Sequence, residues 1–161
     1  MITIMTSHGD IVVELFEDEA PISSANFRQY AADGFFDDTV FHRVIPNFMI
    51  QGGGMTENLS AKATRAPIRN EAANGLKNVR GTLAMARKGQ VDSATSQFFI
   101  NLRDNGFLDH SGRDYGYAVF GRVSEGMDVV DAIAGVTTGH RAAHDDVPLE
   151  SVVIRKARID D

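Results

Sequence analysis

Apolar and polar positions change rhythm along this chain, and the changes separate short strands from two helices. Ile2 to Met5 and Ile11 to Phe16 are short β-branched runs parted by Ser7-His8-Gly9-Asp10, which predicts a hairpin. Pro21 then opens a stretch with Phe27, Tyr30 and Ala31 at i, i+3, i+4, the spacing of one helical face, and Gly34 stands where a glycine would end it. Val40 to Val44 and Phe48 to Gln51 predict two strands around Pro46. From Gly52 to Asn78 the chain is polar and rich in glycine, asparagine and alanine, and reads as a long excursion loop. Thr82 to Ala86, Gln97 to Leu102 and Tyr117 to Val123 predict further strands. Met127, Val130, Ile133 and Ala134 mark a second short helix closed by Gly135, and Glu150 to Ile159 a last strand.

About eight strands and two helices without βαβ alternation argue against a parallel sheet. The expected fold is mainly β: a closed eight-stranded antiparallel barrel capped by two α-helices, which removes exposed edges. With 161 residues and no linker, repeat or low-complexity tract, the chain reads as one domain over 1–161, long enough for a sizeable core.

Composition narrows the function classes. The net charge is −6 and no lysine/arginine run occurs, so nucleic acid is not an expected partner. The absence of cysteine removes disulfides and thiolate chemistry. No apolar run reaches the ~18–20 residues of a membrane span. The first residues lack the basic and apolar regions of a signal peptide, so a cytoplasmic location is expected; a monomer is the expected state in solution.

The chemistry concentrates in two segments. Phe41-His42-Arg43-Val44-Ile45-Pro46-Asn47-Phe48-Met49-Ile50-Gln51-Gly52-Gly53-Gly54 sets one arginine and one glutamine among large apolar side chains. A guanidinium in such company needs a reason, because burying an unpaired charge is costly. Ser96-Gln97-Phe98-Phe99-Ile100-Asn101 repeats the pairing of amide and aromatic. Strand alternation puts Met49 with Gln51, and Gln97, Phe99 and Asn101 together, while Phe98 and Ile100 face the core. An apolar pocket with a few fixed donors suits binding and twisting a ligand better than cleaving it.

The blocks Phe41 to Gly53 and Ser96 to Ile100, with Gly81-Thr82-Leu83-Ala84-Met85-Ala86 and Val119-Phe120-Gly121, resemble the cyclophilins, peptidyl-prolyl cis-trans isomerases, over nearly the whole chain. Asn70-Glu71-Ala72, Asn74-Gly75-Leu76 and Gly126-Met127-Asp128-Val129-Val130-Asp131 resemble bacterial cytoplasmic members. The resemblance implies an eight-stranded barrel with two capping helices, no cofactor and no metal. It also implies partners that are proline-containing peptides and unfolded or folding proteins.

It further implies roles for individual residues. Arg43 matches the arginine that donates to the amide nitrogen of a twisted X-Pro bond, and Gln51 the glutamine that holds substrate backbone and orients that arginine. Phe48, Met49, Phe99 and Leu108 resemble the proline pocket, and Gln97 a second glutamine lining the groove. Ala86 and Arg87 match a strip that presents an Ala-Asn pair to the peptide, here with arginine in second place. Phe107 stands where many eukaryotic members carry a tryptophan, which predicts weakened cyclosporin-type binding, since phenylalanine has no N–H. Tyr117 stands where many carry a histidine near the pocket, and can pack on a proline ring.

Other signals carry less. Gly52-Gly53-Gly54 lacks the lysine and serine or threonine of a phosphate loop, and reads as close backbone approach and turning. His140 and His144, beside Asp145 and Asp146, read as a solvated loop between Gly139 and Pro148. Ser96 has no nucleophile-elbow context. The alternative to an isomerase is a proline-peptide binding or chaperone module that uses the same groove with little turnover.

Overall fold

The N-terminal hairpin forms as the residue pattern dictates: β1 (Ile2–Thr6) and β2 (Gly9–Leu15) pair antiparallel with Thr6 opposite Gly9. In this computed structural model, which describes residues 1–161, the chain continues through helix α1 (Pro21–Ala32) and strands β3 (Thr39–Val40), β4 (Arg43–Ile45) and β5 (Met49–Gly52). After the excursion loop come β6 (Thr82–Met85), β7 (Phe98–Asn101) and β8 (Val119–Glu125), then helix α2 (Met127–Ala134), β9 (Thr138–Arg141), β10 (His144–Pro148) and β11 (Val153–Ile159). Nine strands form one antiparallel sheet in the order β3-β11-β1-β2-β8-β6-β7-β5-β4, and β9 with β10 forms a separate hairpin.

The mainly-β class, the antiparallel pairing and the two helices match expectation, whereas full closure of the barrel does not. Both edges of the sheet belong to one stretch of chain, residues 39–45. Its first half pairs with β11, Val40 opposite Val153, and its second half with β5, Arg43 opposite Gln51. Between them Val40, Phe41 and His42 are buried in succession, so the alternation of faces that a continuous strand requires is lost. The sheet is therefore strongly curled but open along this seam. The segment containing His140 and His144, expected as a loop, is instead the β9–β10 hairpin. Its turn residues Ala142 and Ala143 sit at φ 49° and 65°, a conformation that glycine and asparagine usually signal.

The inside of the curl is filled by a main core that includes Ile2, Ile4, Ile11 and Val13 from the first hairpin and Phe98 and Ile100 from β7. Phe27 packs against Phe36, Phe98 and Phe120 at ring separations of 5.0, 5.2 and 5.3 Å. α1 contributes Phe27, Tyr30 and Ala31 to this core, and α2 contributes Val130 and Ile133. No helix is long and apolar enough to cross a membrane.

The excursion loop has structural duties. α1 begins with Pro21 and lacks a capping side chain of its own. Glu71 reaches across from the loop, and its carboxylate accepts from the backbone N–H groups of Ser23 at 2.6 Å and Ile22 at 3.2 Å. A negative charge at that end also complements the helix dipole.

Candidate functional site

A single cross-strand row on the outer face of the sheet builds the site. The register sets Arg43 opposite Gln51, Gln51 opposite Phe99, Phe99 opposite Ala84 and Ala84 opposite Val119, across β4, β5, β7, β6 and β8. Met49, Ala84, Phe99, Leu108 and Val119 form a small second core on that outer face, with Phe48 and Tyr117 packed against it. Phe98 and Ile100, the neighbours of Phe99, turn the other way into the main core, as alternation requires.

Above this row lies an open cavity of about 310 Å³ lined by Arg43, Phe48, Met49, Gln51, Ala86, Arg87, Phe99, Phe107, Leu108 and Tyr117. Ten of the eleven residues singled out from sequence line it. The eleventh, Gln97, sits one hydrogen bond behind: the Gln51 side-chain N–H donates to Gln97 Oε1 at 2.9 Å. Arg43 Nη1 in turn donates to Gln51 Oε1 at 3.4 Å. The exposed Arg43 guanidinium therefore has a neutral amide beside it and no carboxylate partner, which leaves its charge free to act on a ligand. The pocket walls are aromatic: Phe99 meets Tyr117 edge-on at 5.8 Å, and Phe107, 71% exposed at the rim, stacks on Phe48 at 5.7 Å.

Several positioning residues were not visible from sequence. Gly54 has no room for a side chain, because a Cβ there would stand 2.5 Å from Gln97 Cγ. Close approach was the expectation for the glycine run, but its target was not foreseeable. A buried amide network holds the far wall. Asn105 donates to the Phe48 carbonyl and to Asn101 Oδ1, both at 2.9 Å, and Asn101 donates to Asn78 Oδ1 at 3.0 Å and Thr82 Oγ1 at 2.9 Å. Asn78 donates to Asp109 Oδ1 at 3.0 Å, just past Leu108. Asn101 thus shares the site's face, as alternation predicted, yet is fully buried and serves the framework.

His42, next to Arg43, is buried, and its Nδ1 has no partner. Burial pushes its pKa down to about 4, helped by the neighbouring charges of His144 and Arg43 and opposed by a hydrogen bond to the Val40 backbone. The ring of His144, on β10, lies 6.5 Å away. The folded protein therefore resists protonating His42, while the unfolded chain protonates it near pH 6.5. This contribution to stability is complete above pH 6.5 and is lost as pH falls towards 4, by about 3 kcal/mol in all. We predict a falling urea midpoint between pH 6.5 and 4.5 in the wild type and a much flatter profile in His42→Gln. Parallel profiles for the two proteins would contradict this assignment.

A family model described as cyclophilin type peptidyl-prolyl cis-trans isomerase/CLD matches residues 1–159. A peptidyl-prolyl cis-trans isomerase of Acinetobacter baylyi is 57% identical over 159 residues, covering 99% of this chain and 85% of that protein. Peptidyl-prolyl cis-trans isomerase B of Escherichia coli is 54% identical over 162 residues, covering 99% of each. Among solved structures, a Cryptosporidium parvum cyclophilin type peptidyl-prolyl cis-trans isomerase, determined in the presence of the dipeptide Ala-Pro, superposes with a TM-score of 0.86. It is 26% identical, with 99% of this chain and 98% of that chain covered.

Proposed function

The chain belongs to the cyclophilin-type peptidyl-prolyl cis-trans isomerases, an enzyme family, and from that premise we propose that it turns X-Pro bonds by an electrostatic mechanism centred on Arg43. Substrates in this reading are proline-containing peptides and unfolded or folding proteins, and residues 1–161 work as one domain. Rotation about the prolyl amide is opposed by resonance, with a barrier of ~18–20 kcal/mol, and uncatalysed exchange takes about 10–100 s. No covalent bond breaks, so the catalyst has to seat the ring and favour the twisted amide.

The proline ring is seated against Phe48, Met49, Phe99 and Leu108, with Tyr117 as a further wall of the same cavity. Gln51 and Arg43 stand at the mouth, where the preceding residue and the amide lie. Twisting removes conjugation and localises the lone pair on the amide nitrogen, which then accepts a hydrogen bond better than the planar amide does. A donor aimed there stabilises the transition state more than the ground state. Arginine keeps its proton at any relevant pH, so it supplies that donor without proton transfer. The Arg43–Gln51–Gln97 relay holds the guanidinium in place by way of a neutral amide.

The observation that carries this reading is the unpaired Arg43 guanidinium on the same cross-strand row as the apolar floor at Phe99. NMR exchange spectroscopy on an Ala-Pro-Phe type peptide tests it: catalytic amounts of protein are expected to bring cis-trans exchange into the sub-second range. Peptide binding without accelerated exchange would instead favour the proline-peptide binding module.

Rim residue Phe107 gives a second expectation. Its exposed ring supplies area but no donor, and a net hydrogen bond contributes about 0.5–1.5 kcal/mol. Phe107→Trp is expected to tighten binding of a cyclosporin-type ligand by up to about tenfold, with peptide exchange changed less than about twofold. Calorimetry of the two proteins checks it, and unchanged ligand affinity would remove the missing indole N–H as the cause.

A further inference from the structure

Arg87 lines the cavity, yet its guanidinium is turned to the protein. Its side chain is only 7% exposed. Nε donates to the Gly116 carbonyl at 3.1 Å, Nη1 to the carbonyls of Lys88 at 3.0 Å and Gly89 at 3.5 Å, and Nη2 to Asp114 Oδ1 at 3.3 Å. Four of its five N–H donors are thus committed. Its Cζ lies over the Tyr117 ring, 4.7 Å from the centroid, within cation–π distance. On its other contact the same ring meets Phe99 edge-on. Tyr117 thus touches both the guanidinium and the apolar floor of the pocket.

The backbone at Gly116 makes this arrangement strict. Gly116 sits at φ 89°, and a Cβ there would lie 2.6 Å from the His110 backbone nitrogen, so the loop closes tightly on itself. Its carbonyl also accepts from Asn70 Nδ2 at 3.1 Å. Asp114 Oδ1 accepts from the Gly116 N–H at 3.0 Å as well as from Arg87. One planar fork thereby ties residues 88, 89, 114 and 116 together while its charge lies over the ring of residue 117. A lysine ammonium in its place has a point charge and no plane to stack.

Resting on the isomerase reading above, we propose that Arg87 is a positioning residue: it fixes Tyr117 and the 109–117 loop as one wall of the proline pocket, and acts on substrate only through that ring. Loss of the cation–π contact and the fork frees the ring to leave the wall, so the proline ring is seated less well.

A double-mutant cycle decides between this role and direct contact, with peptide exchange rates and one-dimensional NMR of the tyrosine ring resonances as readouts. Arg87→Leu is expected to lower kcat/KM by about tenfold, mainly through KM, and to shift the Tyr117 ring signals. Arg87→Lys, which keeps the charge and tests the plane, is expected to recover less than half of the loss; should Arg87→Leu fail to fold, it carries the test by itself. In a Tyr117→Leu background, Arg87→Leu is expected to add less than about twofold. Multiplying losses in the double variant, or ring signals unchanged by Arg87→Lys, would overturn the proposal. A wild-type protein that accelerates no exchange refutes the isomerase reading separately, and the ring signals of the Arg87 variants still report whether the guanidinium holds Tyr117.

Discussion

Arg43→Ala is expected to lower kcat/KM for cis-trans exchange by about 10²–10³, with folding stability nearly unchanged. The magnitude is that of removing one donor aimed at charge that develops in a transition state, about 2.7–4 kcal/mol. The stability expectation follows from the surroundings: Arg43 is exposed, makes no ion pair, and holds one long hydrogen bond to Gln51. Its removal leaves no buried group without a partner. Arg43→Lys is expected to recover only part of the rate, because an ammonium on a flexible stem does not keep the geometry that Gln51 imposes on the fork. Exchange spectroscopy of wild type, Arg43→Ala and Arg43→Lys on one peptide measures this. Equal acceleration by wild type and Arg43→Ala would keep the enzyme but take Arg43 out of its centre.

Phe98→Ala and Phe99→Ala, adjacent in sequence, are expected to fail in opposite ways. Phe98 is buried among Phe27, Phe36 and Phe41, at ring separations of 5.2, 5.8 and 6.0 Å. A phenylalanine-to-alanine cavity in such a core costs about 3–5 kcal/mol. That is a large part of the ~5–15 kcal/mol that holds a typical domain folded, and corresponds to a Tm fall of roughly 6–20 °C at this chain length. Phe99 belongs to the small outer core and forms the floor of the open cavity. Its loss is expected to cost less stability and to reduce kcat/KM by about 10–100-fold, because the proline ring loses the apolar surface it is buried against. Thermal melts together with exchange rates separate the two, and the pairing is wrong if Phe98→Ala melts within 2–3 °C of the wild type.

Much of this architecture follows from local pattern. The apolar stripe of Phe27, Tyr30 and Ala31 and the ends at Pro21 and Gly34 mark α1 within a residue or two of its observed span. The composition of Phe41–Gly54 and Ser96–Asn101 is unusual enough to mark the site, because amides and a guanidinium beside aromatics suit neither a plain core nor a plain surface. The β9–β10 hairpin stayed hidden because two alanines occupy positive-φ turn positions and its strands are polar. The break between β3 and β4 stayed hidden because Val40 to Val44 is apolar enough for a single strand. Only the packing of Phe41 and His42 together against the interior interrupts it.

The mainly-β class and the two helices were legible in side-chain type and short-range spacing, and the family and most residues around the pocket in the resemblance carried by four ordered motifs. Tertiary structure decided the rest. The register places Arg43, Gln51, Phe99, Ala84 and Val119 in one row, although they come from five strands spread over residues 43–125. The same long-range packing made Asn78, Asn101 and Asn105 a buried framework, turned Gly54 into space for Gln97, and committed Arg87 to the wall that carries Tyr117. Such contacts join residues tens of positions apart, and their partners are chosen by which surfaces meet once the sheet has curled. No local periodicity encodes that choice.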